Sequence, residues 1–449
     1  MRQETEPTQA TVERTGVSRR GFIKTVGAAA AMEGILAARR APAFAQGTTL
    51  RWVRWVDFIP ESDVELKRQM PEASKALGAE VVLETINAND VQPRITAAIQ
   101  SGAGADIFQF QYNWAQLYAS ACVDVSDLAG GLAKAEGGFY GIYPPSCEVN
   151  GKWLALPHSI IGNAVAYRKS WLKDAGASHF PKTWDELRRV SAALKKKGTP
   201  YGQTLGHTFG DAPTFTYPLT WSFGGAETDR SGKKVVFASP GTLDAVRFMQ
   251  AFWKDGCDEG GLAWDDTNNN RAFHAGTIWA TLNGASIYIL AKRQRDKIKD
   301  ERGEPMYLDI DHAPLPGGPA GGFLLFLNMS DAIMKYSRSQ KLAQDFLRWI
   351  HRKENYERWF LTQEGYSVGA TRVWEDNPMW AKVDEPLKIF RTAAHRTRLF
   401  GYAGPSTARS TEAFSKYLIT DTYAKSVQGT KPEEAVRWAE GELKRIYEA

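Results

Sequence analysis

From Thr48 onward the chain alternates between stretches with strand patterning and stretches with helical patterning. Residues 50–56 read as a first strand, and residues 61–77 as a helix stopped by Gly78. Residues 80–86 give a second strand, 91–101 a helix halted at Gly102, and 106–110 a third strand. This βαβαβ opening predicts an α/β fold with mainly parallel sheets. Further along, Thr183 and Glu186 form a capping box for a helix that runs to about Lys197 before Gly198. Helices are expected over 240–254 and 271–275, then a strand over 277–282 leading into Asn283-Gly284-Ala285-Ser286. Pro314-Leu315-Pro316-Gly317-Gly318-Pro319 breaks regular structure, residues 323–328 resume a strand, and 339–351 carry Leu342, Phe346, Leu347 and Ile350 at helical spacing. Pro432 with Glu433 and Glu434 opens a last helix.

In open α/β sheets ligands sit beyond the carboxyl ends of strands. The third strand ends in Gln111-Tyr112-Asn113-Trp114, which places polar and aromatic groups at that edge. A first crossover between domains is expected over 157–159, before strand patterning resumes at 163–167.

The first forty-five residues read as an address rather than as fold. Ser18-Arg19-Arg20-Gly21-Phe22-Ile23-Lys24 matches the twin-arginine export motif, and Ala43-Phe44-Ala45 has the small-x-small form that a signal peptidase accepts. Glu33, Arg39 and Arg40 interrupt the Ala-rich stretch between them well short of the roughly 18 apolar residues of a membrane span.

Charge then narrows the partners. The formal net charge of +5 falls close to neutrality once the basic residues of the signal are set aside, so the mature chain lacks the electrostatic footprint of a nucleic-acid binder. A hydrophobic share of 43% over 449 residues supplies packed cores in two or three units.

Motif chemistry is sparse. The seven histidines lack the i, i+2 or i, i+4 spacing of a shared ion. Cys122, Cys147 and Cys257 form no C-x-x-C pair and read as buried thiols or as one Cys122 to Cys147 bridge. Gly102-Ala103-Gly104-Ala105 lacks the G-K-[ST] ending of a phosphate loop. Asp265-Asp266-Thr267-Asn268-Asn269-Asn270 lacks the glycine and distal Glu of an EF-hand and reads as a solvated loop capping the next helix. No G-x-S-x-G elbow is present.

Taken together, these residues resemble the extracellular solute-binding proteins, family 1, which serve ABC importers and mostly bind carbohydrates or polyols. Gly151-Lys152-Trp153-Leu154-Ala155-Leu156-Pro157 is similar to the family's G-K-x-Y-x-x-P turn. Tyr167-Arg168-Lys169 through Gly176 is similar to its Y-N-K-x-x-x-x-x-x-G stretch, with Arg168 in place of the usual Asn. Ala272-Phe273-His274-Ala275-Gly276 to Asn283-Gly284 resembles its F-x-x-G…G-x-W segment, with Ser286 where many members place a stacking aromatic. Residues 314–322 resemble its Pro/Gly crossover and 429–446 its closing helix.

The resemblance implies two α/β lobes of the periplasmic-binding-protein type II kind, joined by a multi-strand hinge and closing on a solute. The expected lobes are 46–158 with 323–372, and 159–322 with 373–449. It implies a monomeric, non-enzymatic protein without a cofactor or metal that delivers solute to ABC permease subunits; with the export signal, the expected protein is periplasmic, carried by the twin-arginine machinery and cleaved after Ala45.

A sugar has apolar C–H faces that pack on rings and hydroxyls that need paired donors and acceptors. The expected ligand contacts are therefore Trp55 and Asp57 after the first strand, Tyr112, Asn113 and Trp114 after the third, and His158, Ser159 and Asn163 at the first crossover. The second lobe and hinge add Trp221, Asn283, Ser286, Gly321, Gly322 and Tyr366. Two alternatives stand beside this reading. One is a secreted carbohydrate-active hydrolase pairing Asp57 with Asp265 or Asp266. The other is a binding protein for a charged solute such as a polyamine or organic acid, favoured by a pocket dominated by Arg or by Asp and Glu.

Overall fold

The computed structural model describes residues 48–448, so the export signal lies outside the described residues. Its first strand, Thr49–Trp55, buries Leu50, Trp52, Val53 and Trp55 and pairs in parallel with Glu80–Ile86. The helix between them, Pro60–Leu77, starts with Pro in its first turn and with Glu61 and Asp63 where the helix dipole favours acids. It ends at Gly78, whose φ of 67° is the left-handed conformation that glycine adopts without strain.

The strands form two main sheets. One has six strands in the order Ser367–Gly369, Leu156–Ile161, Leu327–Ile333, Ile107–Gln111, Thr49–Trp55 and Glu80–Ile86. The other has four, in the order Ile310–Ala313, Ala164–Arg168, Ala280–Asn283 and Tyr201–Gly202. This is the mixed two-lobe architecture expected, with two differences. Only the pairs that Thr49–Trp55 makes with its neighbours, and the pairing of Tyr201–Gly202 with Ala280–Asn283, are parallel; the other pairs in the two main sheets run antiparallel. Strands that return from the other sheet enter without a βαβ helix, so nothing forces them into parallel alignment. Leu156–Ile161 belongs wholly to the six-stranded sheet and Ala164 opens the next strand, so the chain changes sheets at Gly162-Asn163, beyond the expected 157–159.

Helices Gln340–Ile350 and Lys353–Thr362 pack on Pro60–Leu77 beside the first sheet. Pro240–Gly256 packs on Trp184–Lys195 and Leu418–Val427. Thr183 and Glu186 make the predicted capping box. The Gly-Lys-Trp segment is the second half of a hairpin whose turn, Asn150 (φ 53°) and Gly151 (φ 75°), has the two positive φ angles of a type I′ turn. The three cysteines are buried free thiols. Among the described residues no helix is long and apolar enough to cross a membrane.

Candidate functional site

Two adjoining chambers open where the ends of the two sheets face each other. The inner one, about 20 Å³, has room for a single water and takes its walls from Trp55, Ile161 and Leu327 of the six-stranded sheet, from Asn283 at the end of a strand of the four-stranded one, and from Gly284 just after it. The outer one, about 300 Å³, lies among Val56, Asp57, Asn87, Asn89, Asp265 and Thr267 and shares Phe58 and Asp266 with the inner. That volume is at the lower end of small-molecule sites.

Rings supply the apolar wall. Trp55 meets Phe58 and Phe209 edge-on at 5.6 and 5.2 Å, and Tyr366 tilts over Phe58 at 6.2 Å. Tyr366 comes so close to Gly284 that a Cβ there would lie 2.8 Å from its Cε2, so glycine is required. The Phe209 N–H donates to Asn89 Oδ1 at 3.1 Å.

The polar wall comes from a helix start. Helix Asp211–Ser222 has no capping side chain of its own; Asp266 supplies one, accepting the N–H groups of Gly210 (3.0 Å) and Asp211 (2.8 Å). Asp211 accepts from Asn269 Nδ2 at 2.6 Å through Oδ2. Burial pushes the Asp211 carboxyl well above the usual range, the neighbouring Asp266 adds to this, and burial likewise raises Asp266. Behind this wall Asn283 donates to Asn270 Oδ1 at 2.5 Å, Asn270 donates to Ser286 Oγ at 3.1 Å, and Ser286 donates to Asn283 Oδ1 at 3.0 Å. Ser286 thus closes an amide ring that orients Asn283 instead of offering a stacking face. The 265–270 loop does cap the next helix, with Asp265 accepting from Thr267 N and Oγ and from Asn268 N, but Asp266 and Asn269 turn inward and are buried.

Of the residues expected to touch a ligand, the structure brings Trp55, Asn163, Asn283 and Tyr366 together on the inner chamber. Asp57 borders the outer one, but its oxygens are engaged: Oδ1 accepts Ile59 N–H at 2.8 Å, and Oδ2 accepts Ser62 Oγ at 2.9 Å and Gln363 Nε2 at 3.1 Å. Burial raises it to about 6.

Tyr112, Asn113 and Trp114 do follow the third strand, yet they pack into protein. The Tyr112 ring lies against Phe400 and Phe414 and its hydroxyl donates to the Phe209 carbonyl. Asn113 donates to Ser406 Oγ and accepts from Thr411 Oγ1, and Trp114 packs on Phe110. The C-terminal tail covers this strand end.

His158, on strand Leu156–Ile161 of the six-stranded sheet, is buried in the core. Its Nδ1 is 3.4 Å from both Asp331 Oδ2 and His351 Nε2, among Trp52, Tyr356 and Trp359. Burial pushes His158 well below the ordinary imidazole range and His351 to about 3, with the nearby Arg54 adding to both, so the pair stays neutral. Ser159 is buried on the same strand. Trp221 packs on Tyr217 and Tyr402. Gly321 belongs to a tight turn closed on Gly318, and Gly322 borders a separate pocket beside Phe323 and Arg398. Sequence reasoning missed several chamber walls, among them Phe58, Phe209 and Asp211. A Gly-Asp pair opening a helix was the available signal for the last.

The chain is similar to known proteins along most of its length. The profile of a family described as bacterial extracellular solute-binding protein matches residues 72–384. A Deinococcus radiodurans protein described as a probable ABC transporter-binding protein is 23% identical over 432 residues, covering 93% of this chain and 98% of its own. Among solved structures, maltose-bound MalE3 of T. maritima superposes with a TM-score of 0.75 at 20% identity, covering 89% of this chain and 100% of that one. An ABC transporter solute-binding protein of Agrobacterium radiobacter K84, in complex with ribitol, does so with 0.72 at 18% identity, covering 89% and 99%.

Proposed function

The chain belongs to the bacterial extracellular solute-binding protein family, and from that premise we propose that it captures a carbohydrate or polyol between two lobes and delivers it to an ABC permease. The observation that carries this reading is the lining of the inner chamber, where rings of Trp55, Phe58, Phe209 and Tyr366 stand against the amides and carboxylates of Asn163, Asn283, Asp211 and Asp266, around a space that takes a sugar only when the lobes part. Such a wall matches the C–H faces and hydroxyl rim of a sugar. The lobes are 46–158 with 323–372 and 159–322 with 373–449; ligand contact with both favours the closed arrangement because only there are all contacts made. Residues 1–45 route the chain through the twin-arginine system, with cleavage after Ala45, and the mature protein acts as a monomer outside the cytoplasmic membrane. Binding without turnover is favoured over hydrolysis because Asp57, the carboxylate that a hydrolase would pair with Asp265 or Asp266, already accepts three hydrogen bonds.

The test is a thermal-shift panel of neutral and aminated sugars and polyols, with recovered solute checked for change. A ligand at a hundredfold excess over its dissociation constant stabilises by about 2.7 kcal/mol, a clear rise in melting temperature. No shift with any compound, or a processed sugar, sinks the reading.

Tyr366→Phe separates binding from folding. The residue is 4% exposed, and its hydroxyl makes no hydrogen bond with any described residue. Removing it should leave the melting temperature of the free protein unchanged or slightly higher, and weaken the responding ligand by about tenfold, one hydrogen bond's worth. Isothermal titration of both proteins reads the difference.

A further inference from the structure

Resting on that reading of the cleft, we infer that the solute carries a protonated amine and that Asp211 is its anchor. The two chambers are bordered by Asp57, Asp211, Asp265 and Asp266, and neither wall contains a lysine, arginine or histidine. Three of these carboxylates are already engaged. Asp57 takes Ile59, Ser62 and Gln363; Asp265 takes its own loop's donors and faces Arg271 at 3.8 Å; Asp266 takes two backbone N–H groups of the helix start.

Asp211 differs. It is 8% exposed, Asn269 occupies Oδ2, and Oδ1 accepts no hydrogen bond from any described residue. Neither Asp211 nor Asp266 enters a salt bridge among the described residues. A second group points the same way: Tyr366 is 4% exposed, lines the chamber, makes no hydrogen bond through its hydroxyl with any described residue, and has Asp57, Asp211 and Asp266 as its charged neighbours.

Ionising a desolvated carboxyl without a countercharge is costly, and a neutral hydroxyl offers the ionised form a weaker bond than a charged donor does. An ammonium supplies both the charge and the donors. It would have Asp211 Oδ1 and the Tyr366 oxygen as acceptors, beside the rings of Trp55 and Tyr366 that line the same chamber. The sum of negative charge at the mouth would draw such a solute in.

The test is isothermal titration of the mature protein with matched pairs: glucose and glucosamine, galactose and galactosamine, sorbitol and 1-amino-1-deoxysorbitol. N-acetylglucosamine serves as a bulky neutral control and putrescine as an amine without a sugar. The aminated member of one or more pairs should bind about ten- to a hundredfold more tightly, the range of a charge-assisted hydrogen bond. Asp211→Asn, checked for fold by circular dichroism, should bring both members of the pair within a few-fold of each other.

A second readout does not need the variant. Burial, with Asp266 and Asp265 beside it, raises the Asp211 carboxyl, and a docked ammonium should shift it back toward the ionised form. Titration in buffers of different ionisation enthalpy would then show net proton release with an amine and none with a neutral sugar. The other groups sensing Asp211, the hydroxyls of Tyr112, Tyr201 and Tyr366, are all raised above the ordinary phenol range and stay neutral at neutral pH.

Equal affinities within pairs, or a preference for the neutral member, overturn the amine anchor while leaving the sugar-capture reading intact. Binding of putrescine alone keeps the anchor and overturns the carbohydrate reading. Silence from every pair and from putrescine overturns both.

Discussion

Arg168→Met should lower the stability of the protein by about 3–5 kcal/mol in urea unfolding, the range for breaking a buried ion pair on one side. The Arg168 side chain is fully buried at the end of strand Ala164–Arg168. Its Nε donates to Asp309 Oδ2 at 2.8 Å, and its two terminal nitrogens hold Glu301 at 3.1 and 2.8 Å. The guanidinium plane lies 4.4 Å from the Trp171 ring centre. Glu301 is half-exposed, so its share is small. Asp309 is 8% exposed, and methionine would leave its charge with only the Ser170 N–H and hydroxyl as partners. Lysine should recover part of the loss, since it restores charge but not the fork that spans two carboxylates. The double variant Arg168→Met with Asp309→Asn should lose less than the sum of the single changes, because each single change strands a partner that the double change removes. A loss below about 1 kcal/mol for Arg168→Met, typical of exposed pairs, would show that the pair is open to water.

This arginine also shows what the sequence could and could not convey. As a departure from the family's Asn it was visible; its role was not, because both carboxylates lie more than 130 positions downstream. Features written in contiguous residues were legible. The Thr183 and Glu186 cap and the stops at Gly78 and Gly102 need only local chain geometry, and they fall where expected. Trp55 and Asn283 were legible as chamber walls because each lies at the end of a patterned strand. The same rule placed Tyr112 to Trp114 at a strand end, but Asn113 meets Ser406 across 293 residues, and no local pattern announces that a tail will cover an edge. Strand direction was equally silent, since half-buried residues alternate alike in parallel and antiparallel pairs. His158 read as a hinge contact only because its partners, Asp331 and His351, arrive from a distant part of the chain.

Glu227→Gln should change how stability depends on pH while leaving the fold unaltered. Glu227 is buried, its Oε1 accepts the Gly401 N–H at 2.9 Å, and it enters no salt bridge among the described residues. Burial pushes its carboxyl up to about 8, against the opposing hydrogen bonds of Gly401 and the Trp221 indole. In the unfolded chain the group titrates near 4.5. Between these two values the folded protein keeps a proton that the unfolded chain has released. The stability this group contributes is therefore full below pH 4.5, falls as pH rises by about 1.4 kcal/mol per unit, and falls no further above about 8. Glutamine has no proton to lose, so the wild type should weaken relative to the variant across that window, by on the order of a few kcal/mol in all. Asp57 and Asp331, raised to about 6, and His351, lowered to about 3, titrate in both proteins and cancel in the difference. Urea unfolding of the pair at pH 5, 6.5 and 8 reads the slope. A constant difference would mean that the carboxyl titrates normally, and that Trp221 and Gly401 enclose a hydrated pocket rather than a dry one.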